Sequence, residues 1–142
     1  VEKLVKSYKS TDYLELMTVR MGPRLQYVLD LPADLADQNV PALLLQPLVE
    51  NSIKHGLEPK VEGGTITVRA RRAANHMLCL EVSDTGTGFD SAASASSGFG
   101  LAQVHERLAA AYDSQGRVEQ TSTPGHGATT LLYLPLTDAR NA

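Results

Sequence analysis

In the stretch Leu45-Gln46-Pro47-Leu48-Val49-Glu50-Asn51-Ser52-Ile53-Lys54-His55-Gly56, apolar residues recur at helical spacing. A carboxylate, a carboxamide, an ammonium and an imidazole are interleaved with them. The pattern predicts a helix from about Pro41 to His55, with Pro41 at its first position and Gly56 just past its end. Leu44, Leu45, Leu48, Ser52 and Ile53 fall on one side, and Pro47, Asn51, Lys54 and His55 on another, because positions three and four apart share a face. An interior proline removes a helical hydrogen bond, so a bend is expected at Pro47. A carboxamide beside a carboxylate, with an ammonium one turn on, can hold a divalent cation and the phosphates around it. Magnesium prefers oxygen ligands and keeps several waters, so one Asn oxygen plus phosphates would suffice. Taken alone, a solvated amphipathic face explains these residues equally well.

Downstream, Thr65 to Arg71 and Met77 to Ser83 alternate apolar and polar residues and read as a hairpin. Asp84-Thr85-Gly86-Thr87-Gly88-Phe89 follows directly. A carboxylate at a strand end can accept from an exocyclic amine, and the glycines let the backbone approach a flat ring. A tight turn is the plainer explanation of the same residues. Ser97-Gly98-Phe99-Gly100-Leu101 enters a helix reaching about Asp113, and backbone N–H groups at such an entry favour phosphate. A glycine-rich connector with no ligand is the plain alternative. Two final strands, Arg117 to Thr123 and Ala128 to Pro135, flank the turn Pro124-Gly125-His126-Gly127. Upstream, residues 2–20 have a loose helical spacing, interrupted around Ser10-Thr11-Asp12 and ended by Gly22-Pro23. Arg24 to Leu31 reads as a strand turning Leu25, Tyr27 and Leu29 to one face. This order predicts an α+β structure: a two-layer sandwich with helices on one face of a mixed, mostly antiparallel sheet.

A chain of 142 residues suits one compact domain, and 42% hydrophobic with 20% charged residues is a globular balance. A net charge of −3 argues against nucleic-acid binding, and Arg69, Arg71 and Arg72 read as a solvated strand face. The lone Cys79 sits in an apolar run, fits a buried thiol and excludes an internal disulfide framework. No stretch approaches the length of a membrane span, so a cytoplasmic chain without membrane contact is expected. Its start at Val1, within a helical pattern, suggests a fragment of something longer. The four histidines lack paired zinc spacing, and neither a P-loop, a complete dinucleotide fingerprint nor a Gly-x-Ser-x-Gly elbow occurs.

In this order, the segments resemble the ATP-binding fold shared by gyrase, heat-shock chaperones, histidine kinases and mismatch-repair ATPases, the Bergerat-type fold. Leu45 to Gly56 is similar to its N box, Asp84 to Gly88 to its G1 box, and Gly98-Phe99-Gly100-Leu101 to its G2 box. Gly125 to Thr130, ending at Leu134-Pro135, is similar to its closing glycine-threonine strand. Leu45 to Asn51, the helix Val104-His105-Glu106-Arg107-Leu108 and the Arg20-Met21-Gly22-Pro23-Arg24-Leu25 turn resemble the LytS-type sensor kinases of bacterial two-component systems. The likeness spans Asp12 to Leu136. Gln103 and Ala128 depart from the usual Asn and Thr.

The resemblance implies ATP and Mg²⁺ as cofactors. Asp84 would accept from the adenine amine, with Gly86 and Gly88 lining that pocket. Asn51 would hold magnesium, Glu50 would act as base or orient water, and Lys54 and His55 would face the phosphates. Gly98, Gly100 and Leu101 would form the phosphate-binding helix entry and lid hinge, and Thr129 would reach adenine through water. The resemblance further implies an N-terminal helical segment at 1–22, an ATP-binding catalytic domain at 23–137 and a tail at 138–142. Its γ-phosphoryl would pass to a histidine in an acceptor domain of the same parent protein, a membrane-anchored sensor, and on to a response regulator. No acceptor-type histidine context occurs in this chain. A serine kinase of the anti-sigma-factor type, or a non-catalytic nucleotide-binding or docking module, would carry the same boxes.

Overall fold

The computed structural model of the chain describes residues 2–9, 12–42, 44–86, 99–123 and 126–136. A short strand β1 (Glu2–Lys3) and helices α1 (Leu4–Lys9) and α2 (Asp12–Met21) lead through a 3₁₀ turn at Gly22–Arg24 into β2 (Leu25–Asp30). After a second 3₁₀ turn, β3 (Asn39–Val40) pairs antiparallel with β1. Helix α3 (Gln46–Asn51) then runs directly into a π-helical segment, Ser52–Leu57. The hairpin β4 (Gly64–Ala73) and β5 (Met77–Asp84) follows, then α4 (Phe99–Tyr112), β6 (Arg117–Thr123) and β7 (Gly127–Pro135).

The main sheet has the order β2-β4-β5-β7-β6. Only β2 and β4 run parallel; the other neighbours are antiparallel. Parallel neighbours need a crossover, and this one carries α3 and the π-helical segment over the sheet. Strand alternation gives the sheet one apolar face. Ile66, Val68 and Ala70 of β4, Leu78, Leu80 and Val82 of β5, and Leu132 and Leu134 of β7 are all buried there. Leu48, Val49, Ile53 and Leu57 cover this face, as do Val104 and Leu108, four residues apart on α4. Leu14, Met17 and Met21 join the same cluster, so the core is continuous across residue 22. The result is the expected α+β sandwich, with helices on one face of a mixed sheet.

Three local expectations are corrected. The helix begins at Gln46, not Pro41, and Pro47 lies in its first turn, where a missing N–H goes unbonded anyway. No bend at Pro47 is needed. The hydrogen-bond ladder widens later instead, as Glu58 N–H donates to the Ile53 carbonyl five residues back at 2.7 Å. Gly56 is likewise not a residue past the helix end, because the helical path continues to Leu57. The strand expected from Arg24 to Leu31 forms as β2; Leu25 is buried, and Tyr27 and Leu29 are each 40% exposed. β2 is the sheet edge, with one neighbouring strand, and its residues after Leu25 are exposed. Cys79 is a free, buried thiol whose pKa is raised by desolvation.

Leu80→Ala, at the centre of the sheet, should destabilise the fold by about 2–5 kcal/mol in denaturant titration. Leu29→Ala, at the edge, should cost less than about 1 kcal/mol. Similar losses for both would contradict this placement of the core.

Candidate functional site

Asp84 ends β5 on the same face as Leu80 and Val82, yet it is a carboxylate and only 6% exposed. Its Oδ1 accepts from the Gly86 N–H at 2.9 Å, and the Ser52 hydroxyl and the Ala128 N–H also donate to it. Burial pushes its pKa above the ordinary carboxylate value, while these donors and the Lys60 ammonium pull the other way. Burial is the largest influence, so the side chain holds more proton affinity than a free Asp.

The cradle around Asp84 is built by backbone contact. A Cβ at Gly86 would lie 2.3 Å from the Gly56 carbonyl carbon and oxygen, and a Cβ at Gly56 would lie 2.8 Å from Asp84 Oδ1. Two segments far apart in sequence therefore touch through glycines, and any side chain at Gly86 would push them apart. Gly56 and Ser52 are one turn apart on the π-helical segment and both address Asp84.

The remaining polar residues of that segment flank this contact. Asn51 is half-buried at the junction of α3 and the π-helical segment. Glu50 is fixed by the Gln46 side-chain amide, which donates to its Oε1 at 3.0 Å. Lys54 and His55 are exposed. The structure thus brings Asp84, Gly86 and the 50–56 segment together. Gly100 and Leu101 lie in the first turn of α4, and Gly88 and Gly98 lie outside the described residues.

Thr129 is not brought to this site. The β5–β7 register pairs Ser83 with Thr129 and Asp84 with Ala128. Alternation therefore sends the Thr129 side chain to the opposite face, where its hydroxyl lies 3.1 Å from that of Ser83. Ala128, at the usual Thr position, stands opposite Asp84 and supplies only its N–H.

Ser52 and Lys60 are missed from the site by sequence reasoning. Ser52 has a signal, a hydroxyl on an otherwise apolar helix side. Lys60 has none: its ammonium donates to the Thr85 carbonyl at 2.9 Å, across a separation that no periodicity encodes. A hollow of about 490 Å³ between Pro41, Ala42 and the C-terminal half of α4 contains none of the site residues.

The profile of the histidine kinase-, DNA gyrase B- and HSP90-like ATPases matches residues 36–138. The sensor histidine kinase BtsS of Escherichia coli is 32% identical over 126 residues, covering 89% of this chain and 22% of that protein. The sensor protein LytS of Oceanobacillus iheyensis is 32% identical over 93 residues, covering 63% of this chain and 16% of that protein. The chain thus spans about a fifth of the length of these relatives. The histidine kinase domain of the Erythrobacter litoralis EL346 blue-light activated histidine kinase superposes with a TM-score of 0.70 at 17% identity. That superposition covers 94% of this chain and 61% of the other.

A carboxylate with a raised folded pKa contributes stability that is fully present below its unfolded pKa and lost as pH rises through the folded value. Relative to Asp84→Asn, the wild-type chain should therefore lose stability as pH rises from about 4, with the difference levelling off above the raised pKa. Denaturant titration from acid to neutral pH measures it. A difference that is flat across this range would remove the burial account of Asp84.

Proposed function

This chain belongs to the histidine kinase-, DNA gyrase B- and HSP90-like ATPase family, and from that premise we propose that it binds Mg-ATP and passes the γ-phosphoryl to a histidine outside it. The observation that carries the ATP site is the buried Asp84 carboxylate in its glycine cradle. A carboxylate offers about four lone-pair positions. The Gly86 N–H occupies one on Oδ1, and the Ser52 hydroxyl and the Ala128 N–H also bear on the carboxylate, which still leaves an acceptor position open. An adenine amine fits that position; the carbonyl of guanine would place an acceptor against an acceptor, which selects ATP over GTP. Gly86 lines the same pocket.

Asn51 stands on the segment that also carries Ser52 and Gly56, which ties the phosphate end to the adenine end. Among the described residues no group of three or more His, Cys, Asp or Glu gathers into a metal cage. That donor set suits an ion that arrives with the phosphates, needs one Asn oxygen from the protein and completes its shell with water. Magnesium there would neutralise phosphate charge. Lys54 and His55 add positive and hydrogen-bonding groups on the exposed side, and Gly100 and Leu101 supply the backbone in the first turn of α4.

In the transfer, the bond from the γ-phosphorus to the bridging oxygen breaks, a bond from an imidazole nitrogen to phosphorus forms, and ADP leaves. The loose transition state asks for positioning and charge neutralisation more than covalent help. Glu50, held by Gln46, is set to take the imidazole proton or orient the ring. The acceptor histidine belongs to another domain of the parent sensor, and a response regulator receives the phosphoryl group next. The likeness to the sensor histidine kinase BtsS supports this reading.

Asp84→Asn should weaken ATP binding about 10- to 100-fold, the range for one buried hydrogen bond to a charged group. Calorimetric titration of both proteins, with and without magnesium, reads this out. Equal affinity would sink the adenine assignment. Asn51→Ala should bind ATP with less dependence on magnesium than wild type does; unchanged dependence would remove Asn51 as ligand.

A further inference from the structure

The Arg20-Met21-Gly22-Pro23-Arg24-Leu25 segment contains neither Asp84, Gly86 nor any residue of the 50–56 segment. Its Arg24 side chain crosses to the turn that follows the π-helical segment. There Nη2 donates to the Glu58 and Lys60 carbonyls at 3.0 and 2.7 Å, and Nε donates to the Val61 carbonyl at 3.0 Å. Carbonyls at a helix end lack intrahelical partners, and a planar guanidinium can satisfy several at once. Arg20 reaches the same turn, 3.0 Å from the Glu58 carboxylate.

Lys60 lies within the turn so gripped, and its side chain is only 24% exposed. Its ammonium donates to the Thr85 carbonyl at 2.9 Å. That carbonyl and the Gly86 N–H belong to one planar peptide unit. The N–H at the other side of this plane is the one that donates to Asp84 Oδ1 at 2.9 Å. Lys60 and Asp84 thus hold one peptide plane from opposite edges. A free lysine would lose much rotamer entropy in reaching this carbonyl, and the fixed turn lowers that cost.

We propose that Arg24 and Lys60 form a strap that positions the adenine pocket: Arg24 fixes the 58–61 turn, and Lys60 uses that turn to orient the Thr85–Gly86 peptide against Asp84. Neither residue touches the nucleotide; both are positioning residues. The inference rests on the adenine reading of Asp84. Through this strap, the end of α2 is mechanically connected to the nucleotide pocket.

The test is ATP affinity of the 142-residue chain together with hydrogen exchange at the Gly86 amide. Arg24→Ala and Lys60→Met should each weaken ATP about three- to tenfold and speed Gly86 exchange. The double variant should lose no more than about twice the larger single effect, since both act on one peptide plane. Lys60→Arg, which keeps a donor, should restore most of the affinity. If Arg24→Ala does not fold, Arg24→Lys decides, because it keeps the charge and loses the three-way grip; it should bind ATP more weakly than wild type.

Wild-type affinity and exchange in Lys60→Met and in the Arg24 variant, while Asp84→Asn has lost ATP, overturns the strap and leaves the adenine reading intact. Wild-type affinity in all of them, Asp84→Asn included, overturns both. Losses that multiply in the double variant overturn the coupling between Arg24 and Lys60.

Discussion

Asp84 occupies a position where the alternation of β5 calls for another leucine or valine, and a lone carboxylate there would be costly to bury. It is tolerated because three donors from three segments converge on it: the Gly86 backbone, the Ser52 hydroxyl and the Ala128 backbone. Each donor requires a structural decision elsewhere. Ala128 must stand opposite Asp84 in the β5–β7 register, the π-helical segment must bring Ser52 to the carboxylate, and Gly86 must lie against Gly56 with no side chain between. The sheet order, the π-helical segment and the glycine contact are thus linked to one group.

The same linkage explains the division of labour between the layers. The sheet supplies the fixed end of the site, since β5 is central and hydrogen-bonded on both sides. The helical layer supplies the polar groups beside it. Val49, Ile53 and Leu57 anchor that layer to the sheet, while Glu50, Asn51, Lys54 and His55 remain half-buried or exposed. Packing on one side and chemistry on the other come from one stretch of thirteen residues, Leu45 to Leu57.

Much of this is legible in the amino-acid order. The inward sets of β4 and β5 follow from strict alternation, and α4 from its glycine-marked start and its four-residue spacing of Val104 and Leu108. The ordered boxes place Asn51, Asp84 and Gly86 near one another before any geometry is known. Other features are decided by long-range contact. Pro47 reads as a kink only if the helix starts at Pro41, and the tertiary path starts it at Gln46 instead. Gly56 reads as a helix stop, whereas its reason is the approach of Asp84. Thr129 reads as a site residue until the register with Ser83 turns it away. Lys60 and Arg24 carry no local signal, because their partners are set by how turns meet in space.

The most direct measurement of the central claim compares ATP with purine riboside triphosphate, which differs only in lacking the exocyclic amine, by binding to the wild-type chain. If the open acceptor position of Asp84 receives that amine, the analogue should bind about tenfold or more weakly, as a buried acceptor left unpaired is costly. Equal affinity for the two nucleotides would contradict the account.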